Sequence, residues 1–168
     1  MKDRLQQKKI FRIGLAVILA IMSVWMSIRA ANFNQQILGP LDKINLNISP
    51  STISFPAADP DEQPVIQANS QVIILISVGK NKNWNLYIMA QGNLISAEGG
   101  IIPISNVSWV ASQKPPLQDG VFIAGQNILM GSGRGRLDNG TLTFYLNNSW
   151  DYLAGTYTQI ITFTASQI

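Results

Sequence analysis

From Ile44 to the C-terminus, apolar side chains return at every second position. Ile44, Leu46 and Ile48 alternate with Asn45 and Asn47. Trp84, Leu86, Ile88 and Ala90 alternate with Asn85, Tyr87 and Met89, and Leu142, Phe144 and Leu146 with Thr141, Thr143 and Tyr145. A period of two puts neighbouring side chains on opposite faces of an extended strand, and no window after Ile44 carries the 3.6-residue period of an amphipathic helix. Turn signals divide the region: Gly39-Pro40, the acidic AADPDEQP of residues 57–64, GKNKN at 79–83, Gly99-Gly100, KPPLQDG at 114–120 and Asn139-Gly140. About seven to nine short strands result, which is the pattern of an all-β antiparallel sandwich over residues 42–168. The expected core is Ile44, Leu46, Ile48, Ile74, Ile76, Trp84, Leu86, Ile88, Leu142, Phe144, Leu146, Tyr157, Ile161 and Phe163. On the last strand, Thr156, Thr158, Thr162 and Thr164 are expected on the exposed face. Residues 71–78 (QVIILISV) read as a central strand, joined to the strand from Trp84 as a hairpin.

Ahead of this domain, Ile13 to Ile28 runs for sixteen residues without a charge, and Lys8, Lys9 and Arg12 precede it. A cationic head followed by an apolar run is the polarity of a signal peptide or of a membrane anchor whose C-terminal side crosses. Residues 1–31 are therefore expected to be a signal peptide or N-terminal membrane helix, and residues 32–41 a polar connector. Two outcomes stay open. Ala30 suits the position before a cleavage site, with Ile28 a tolerable residue two places earlier. Uncleaved, the run would rise about 24 Å as a helix against a hydrocarbon core of about 30 Å, so Ile10 and Phe11 would extend it. Either way the domain is expected outside the cytoplasm.

Charge divides the same way. Up to Ala30 there are six basic residues and one acid; beyond it, six basic residues and eight acids. The net charge of +3 thus belongs to the leader. The domain has no cationic excess for a phosphate backbone, which excludes a nucleic-acid partner. With no Cys and no His in the chain, disulfides, the common zinc sites and most nucleophile–base pairs are excluded. The acids mostly stand beside Pro, Gly or Asn, where acids form turns, and no motif joins two of them into a catalytic pair. No catalytic residue, cofactor or metal site is expected. Asp59, Asp61 and Glu62 are hard oxygen donors, but the stretch lacks the further ligands and the Gly of a calcium loop and reads as a solvated turn. The glycines of GSGRG (131–135) are followed by a strand rather than a helix, so they favour a bulge or close strand approach over a phosphate cradle.

Two readings remain for the aromatic residues. Trp109, Trp150, Tyr145 and Tyr152 are the candidates for stacking a sugar ring; the competing reading has them packing the core or covering sheet ends.

Asp151-Tyr152-Leu153-Ala154-Gly155-Thr156-Tyr157-Thr158 resembles the Asp…Ala/Gly-x-Tyr approach to a late strand of immunoglobulin-like domains. There the Tyr hydroxyl bonds back to the preceding turn, and the resemblance implies this tyrosine-corner role for Tyr157. Gly155 to Thr158, continued by Ile161 to Thr164, is also similar to the C-terminal strand of secreted pilin-like and spore coat protein U-type bacterial domains. That resemblance implies an immunoglobulin-like sandwich in a structural surface protein. The leader adds the expectation of membrane contact through residues 13–28 if these are retained, and an exported all-β module without a site the expectation of protein or envelope partners. The chain differs from many such domains in lacking a Cys pair, and no donor strand is identifiable in its connector.

Overall fold

The computed structural model describes residues 28–29, 31–38 and 44–168, with side chains from Ile44 onward. The expected signal or membrane segment, residues 1–31, lies outside these residues except for Ile28, Arg29 and Ala31. Among the described residues no helix is long and apolar enough to cross a membrane, and the structure is all-β.

The strands in chain order are β1 (Ile28–Arg29), β2 (Ala31–Leu38), β3 (Asn45–Ser49), β4 (Ser54–Phe55), β5 (Val65–Gln67), β6 (Val72–Ser77) and β7 (Asn83–Ala90). They continue as β8 (Leu94–Ser96), β9 (Ile101–Ile102), β10 (Val107–Ala111), β11 (Gly120–Val121), β12 (Ile128–Arg134), β13 (Leu137–Asn147) and β14 (Tyr157–Gln167). A 3₁₀ turn spans Ile104–Asn106. Sheet I has the order β11-β10-β13-β6-β3, with β5 also on β13. Sheet II has the order β12-β7-β14-β8-β9, with β2 also on β14. All pairings are antiparallel except β2 with β14, which is parallel. The short β1–β4 pair stands apart.

All fourteen expected core residues are buried, and one cluster joins the inner faces of both sheets. This is a β-sandwich-like architecture, in which alternation turns one face of most strands inward. Burial of each fully enclosed Leu, Ile or Phe contributes about 1.5–3 kcal/mol. With no disulfide, this burial holds the sheets together. Two indoles anchor it, one per sheet. Trp84 (1% exposed) donates from Nε1 to the Gly135 carbonyl at 3.0 Å, and Trp109 (1%) to the Gln118 carbonyl at 2.9 Å. Each indole lies over a glycine of the neighbouring strand, Gly133 and Gly120 respectively.

Four expectations are corrected. The turn at residues 79–83 does not close a hairpin: β6 lies in sheet I between β13 and β3, and β7 in sheet II between β12 and β14. Both strands bury an apolar face, and an arch between sheets lets the two faces meet. The connector expected at residues 32–41 is strand β2 for residues 31–38, paired from Ala31 beside Gln159 to Leu38 beside Ser166. A ladder of backbone bonds along an open strand edge needs no apolar face, so weak alternation did not reveal it. Asn139-Gly140 is not a hairpin turn; it is a bulge inside β13, with Asn139 at φ 61°. The chain turns instead at Gly135, φ 71°. Thr162 and Thr164 are buried rather than exposed. Their strand is flanked on both sides, and Met89 and Tyr87 stand opposite them on β7.

The registers gather several loops at two opposite ends. β13 runs toward Asn147 beside Val65, and β14 starts at Tyr157 beside Ser96. The loops 56–64, 97–100 and 148–156 therefore share one end, here the Trp150 end. Ser77 lies opposite Asn45, and Asn83 opposite Arg134. The turns at 78–82 and 135–136 accordingly share the other end, here the Lys80 end.

Candidate functional site

The Trp150 end brings exposed apolar and charged groups together. Its frame is set by three side chains that replace missing ladder bonds. Asn148, just past β13, donates from Nδ2 to the Ala58 and Gln63 carbonyls at 3.0 and 3.3 Å, tying the acidic loop to the β13–β14 loop. Asn106 donates from Nδ2 to the Tyr152 hydroxyl. Tyr157 Oη donates to the Leu153 carbonyl at 2.7 Å, four residues upstream, and so pins the end of the loop to the first residue of β14. Gly100 is required beneath that ring, because a Cβ there would stand 2.3 Å from Tyr157 Oη.

On this frame Trp150 is 64% exposed, and Leu153 beside it is 62% exposed. The indole is not loose: its Nε1 donates to Asp61 Oδ1 at 3.1 Å. Asp61 is itself fixed, since its backbone N–H donates to Asp59 Oδ1 at 2.8 Å. Asp151 is held by Ser149, whose Oγ donates to Asp151 Oδ2 at 2.9 Å. Glu98 borders the same loop: its carboxylate oxygen lies within 3.2 Å of where a side chain on Gly155 would begin. Burial is the main cause that raises the Tyr152 hydroxyl above its usual 10, with the Asp151 charge adding to it and Asn106 opposing. Tyr157 is raised likewise, by burial first and Glu98 second.

The four aromatic candidates are not brought together. Trp109 has no face free for a ligand, because it is packed in the core 4.9 Å from Phe122, centroid to centroid. This corrects its place among the stacking residues; its position in the inward register of β10 accounts for the burial. Tyr145 is half-buried on the outer face of sheet I, between Gln67 and Ser108. Tyr152 is half-buried in the loop. Trp150 alone presents most of its ring to solvent. Among the described residues no group of three or more Asp or Glu could hold a metal ion. Leu153 and Asn106 belong to the site and were missed in the sequence, and Asp61 was read there only as part of a solvated turn; 89 residues separate Trp150 from Asp61 and 46 separate Tyr152 from Asn106.

No protein-family model matches the chain, and no curated protein matches it.

Proposed function

We propose that this chain is an exported, non-enzymatic surface or envelope protein that works through contacts made by its one β-sandwich domain. The observation that carries the reading is the charge-free run from Ile13 to Ile28 behind Lys8, Lys9 and Arg12, leading directly into an all-β domain. The Tyr157 back-bond and the two-sheet order support an immunoglobulin-like arrangement of that domain. The absence of Cys and His from the sequence favours binding over catalysis. The test is fractionation of the producing cell together with the mass and N-terminal sequence of the mature chain. The expected result is a chain outside the cytoplasm, either shortened near Ala30 or held at the outer face of the cytoplasmic membrane. An intact chain dissolved in the cytosol overturns the reading.

Trp150 favours a second reading, a carbohydrate-binding module. Its exposed ring, held at one edge by Asp61, is the kind of platform a sugar face stacks on. Titration with polysaccharides should then shift the tryptophan emission of the native chain and leave that of Trp150→Ala unchanged. No shift with any polysaccharide removes this reading.

A further inference from the structure

The charges of the sandwich are sorted by end. Among residues 44–168, the Trp150 end carries Asp59, Asp61, Glu62, Glu98 and Asp151, all exposed, and no Lys or Arg. The backbone of β1 adds one cationic residue, Arg29, opposite Ser54. Among the described residues the Lys80 end carries the exposed cations Lys80, Arg134 and Arg136, together with Lys82, which is engaged in a contact of its own, and the acid there, Asp138, pairs with Arg136. The remaining charges, Lys114 and Asp119, neutralise each other at 2.7 Å on the flank. Eleven residues of β14 at about 3.3 Å each separate the two ends by about 35 Å.

We propose that the Trp150 end docks the Lys80 end of a second copy of this chain, head to tail. Three features of the Trp150 end suit a cationic partner surface. Its rim carries five exposed carboxylates against the one cation of Arg29. Trp150 offers an open π-face to a Lys or Arg, held in place by the Asp61 bond at its edge. Leu153 and Val65, 62% and 52% exposed, supply apolar area that a partner would cover. The partner surface with the matching charge is the chain's own far end. Because the two surfaces differ and lie at opposite ends, the contact is heterologous, and each copy added leaves both kinds of end open for the next. This inference rests on the reading of the domain as an interaction module, and it names the partner. It also requires the Trp150 end to be free. Ile28, the last residue of the apolar run, is already in β1, so a leader retained in a bilayer would hold this end against the headgroups.

The experiment measures the mass of the mature chain by sedimentation across a concentration series at low and at high ionic strength. Two end variants accompany it, Asp61→Lys with Asp151→Lys, and Lys80→Glu with Arg134→Glu. Near-UV circular dichroism checks each fold, and the milder Glu62→Gln with Asp151→Asn replaces the first pair if it fails to fold. At low salt the native chain should exceed about twice the monomer mass and should return to monomer at high salt, where exposed charges are screened. Each variant alone should stay monomeric, and their mixture should stop at a one-to-one dimer. A native chain that is monomeric throughout overturns the proposal. So does assembly that ignores salt or survives in both variants, and so does a mature chain that keeps its leader in the membrane. A monomer found outside the cytoplasm removes the head-to-tail contact and leaves the export reading standing. An assembling chain in the cytosol does the reverse.

Discussion

Gly133→Ala is the smallest change that should disturb the core of sheet II. Gly133 stands opposite Trp84 in the β12–β7 register, and a Cβ there would lie 2.5 Å from Trp84 Cζ2 and 2.9 Å from Cε2. Carbon atoms rest about 3.5–4.0 Å apart, so the ring must move by about 1 Å. It has nowhere to go: Trp84 is 1% exposed, and its Nε1 is bonded to the Gly135 carbonyl at 3.0 Å. Overpacking of this kind costs about 1–3 kcal/mol, and loss of the indole bond adds about 1 kcal/mol. Removing a strand glycine returns about 0.5–1 kcal/mol through the unfolded chain. A net loss of about 1–3 kcal/mol should appear as a lower urea midpoint followed by tryptophan fluorescence. The mechanism is specific to the ring, so the double variant tests it. Trp84→Phe should cost less in the Gly133→Ala background than in the native one, a coupling of at least about 1 kcal/mol. The adjacent exposed Ser132→Ala should stay within about 0.5 kcal/mol of native. Gly133→Ala at native stability, or strict additivity with Trp84→Phe, refutes the close-approach argument.

Tyr157→Phe should lower stability by about 1 kcal/mol, since it removes the bond to the Leu153 carbonyl while keeping the buried ring. Alkali should weaken the fold as well. Tyr152 and Tyr157 both titrate higher when folded than their usual 10, so their contribution is complete below pH 10 and falls away as pH rises through the raised folded values. Urea midpoints taken on either side of pH 10 should show this decline, and Tyr157→Phe should shallow it. Ile74→Ala, at a fully buried position of the central strand β6, should cost about 2–5 kcal/mol by the same unfolding measurement. Asp119→Asn should cost less than about 1 kcal/mol, because both partners of its pair with Lys114 are 46% exposed. Asp119 is held below its usual 3.8 chiefly by the Lys114 hydrogen bond. Its small contribution is therefore present above that pH and lost on acidification, and a midpoint series in acid should lose that step in Asp119→Asn.

What the alternation made legible was which face of each strand is buried, and it did so down to single residues such as Ile44, Trp84 and Phe163. Strand partners were not legible, because a period of two says nothing about which neighbour completes the ladder. The 79–83 turn shows the difference. Its length and its Gly, Asn and Lys suit a hairpin, yet the same five residues carry the chain from one sheet to the other. Residues 71–78 show a second limit. An unbroken apolar run reads as buried on both faces, but Ile73 is 41% exposed on β6. A strand can be central in its sheet and still turn one side to solvent. β2 escaped for the opposite reason: pairing with β14 uses main-chain groups that every residue except proline possesses.

The candidate site was half legible, and topology explains the missing half. Trp150 could be nominated from its loop, since an aromatic residue among Asn, Ser and Asp breaks the strand alternation and has no inward register to occupy. Trp109 could not be separated from it by residue type. Only its register on β10, in phase with Val107 and Ala111, turns it into the core. Local sequence also could not show that the acids at 59–62, 98 and 151 meet at one end. That follows from the order of strands in two sheets, in which loops far apart in the chain return to the same rim. Two of them serve their own turns: Asp59 accepts from the Asp61 N–H, and Asp151 accepts from Ser149 Oγ. Nothing in those local roles requires them to gather around one open indole while the cations gather about 35 Å away. Turn-forming residues scattered without regard to end would balance the two signs at each rim. Their separation costs electrostatic self-energy at each end, and contact with a surface of opposite sign relieves it.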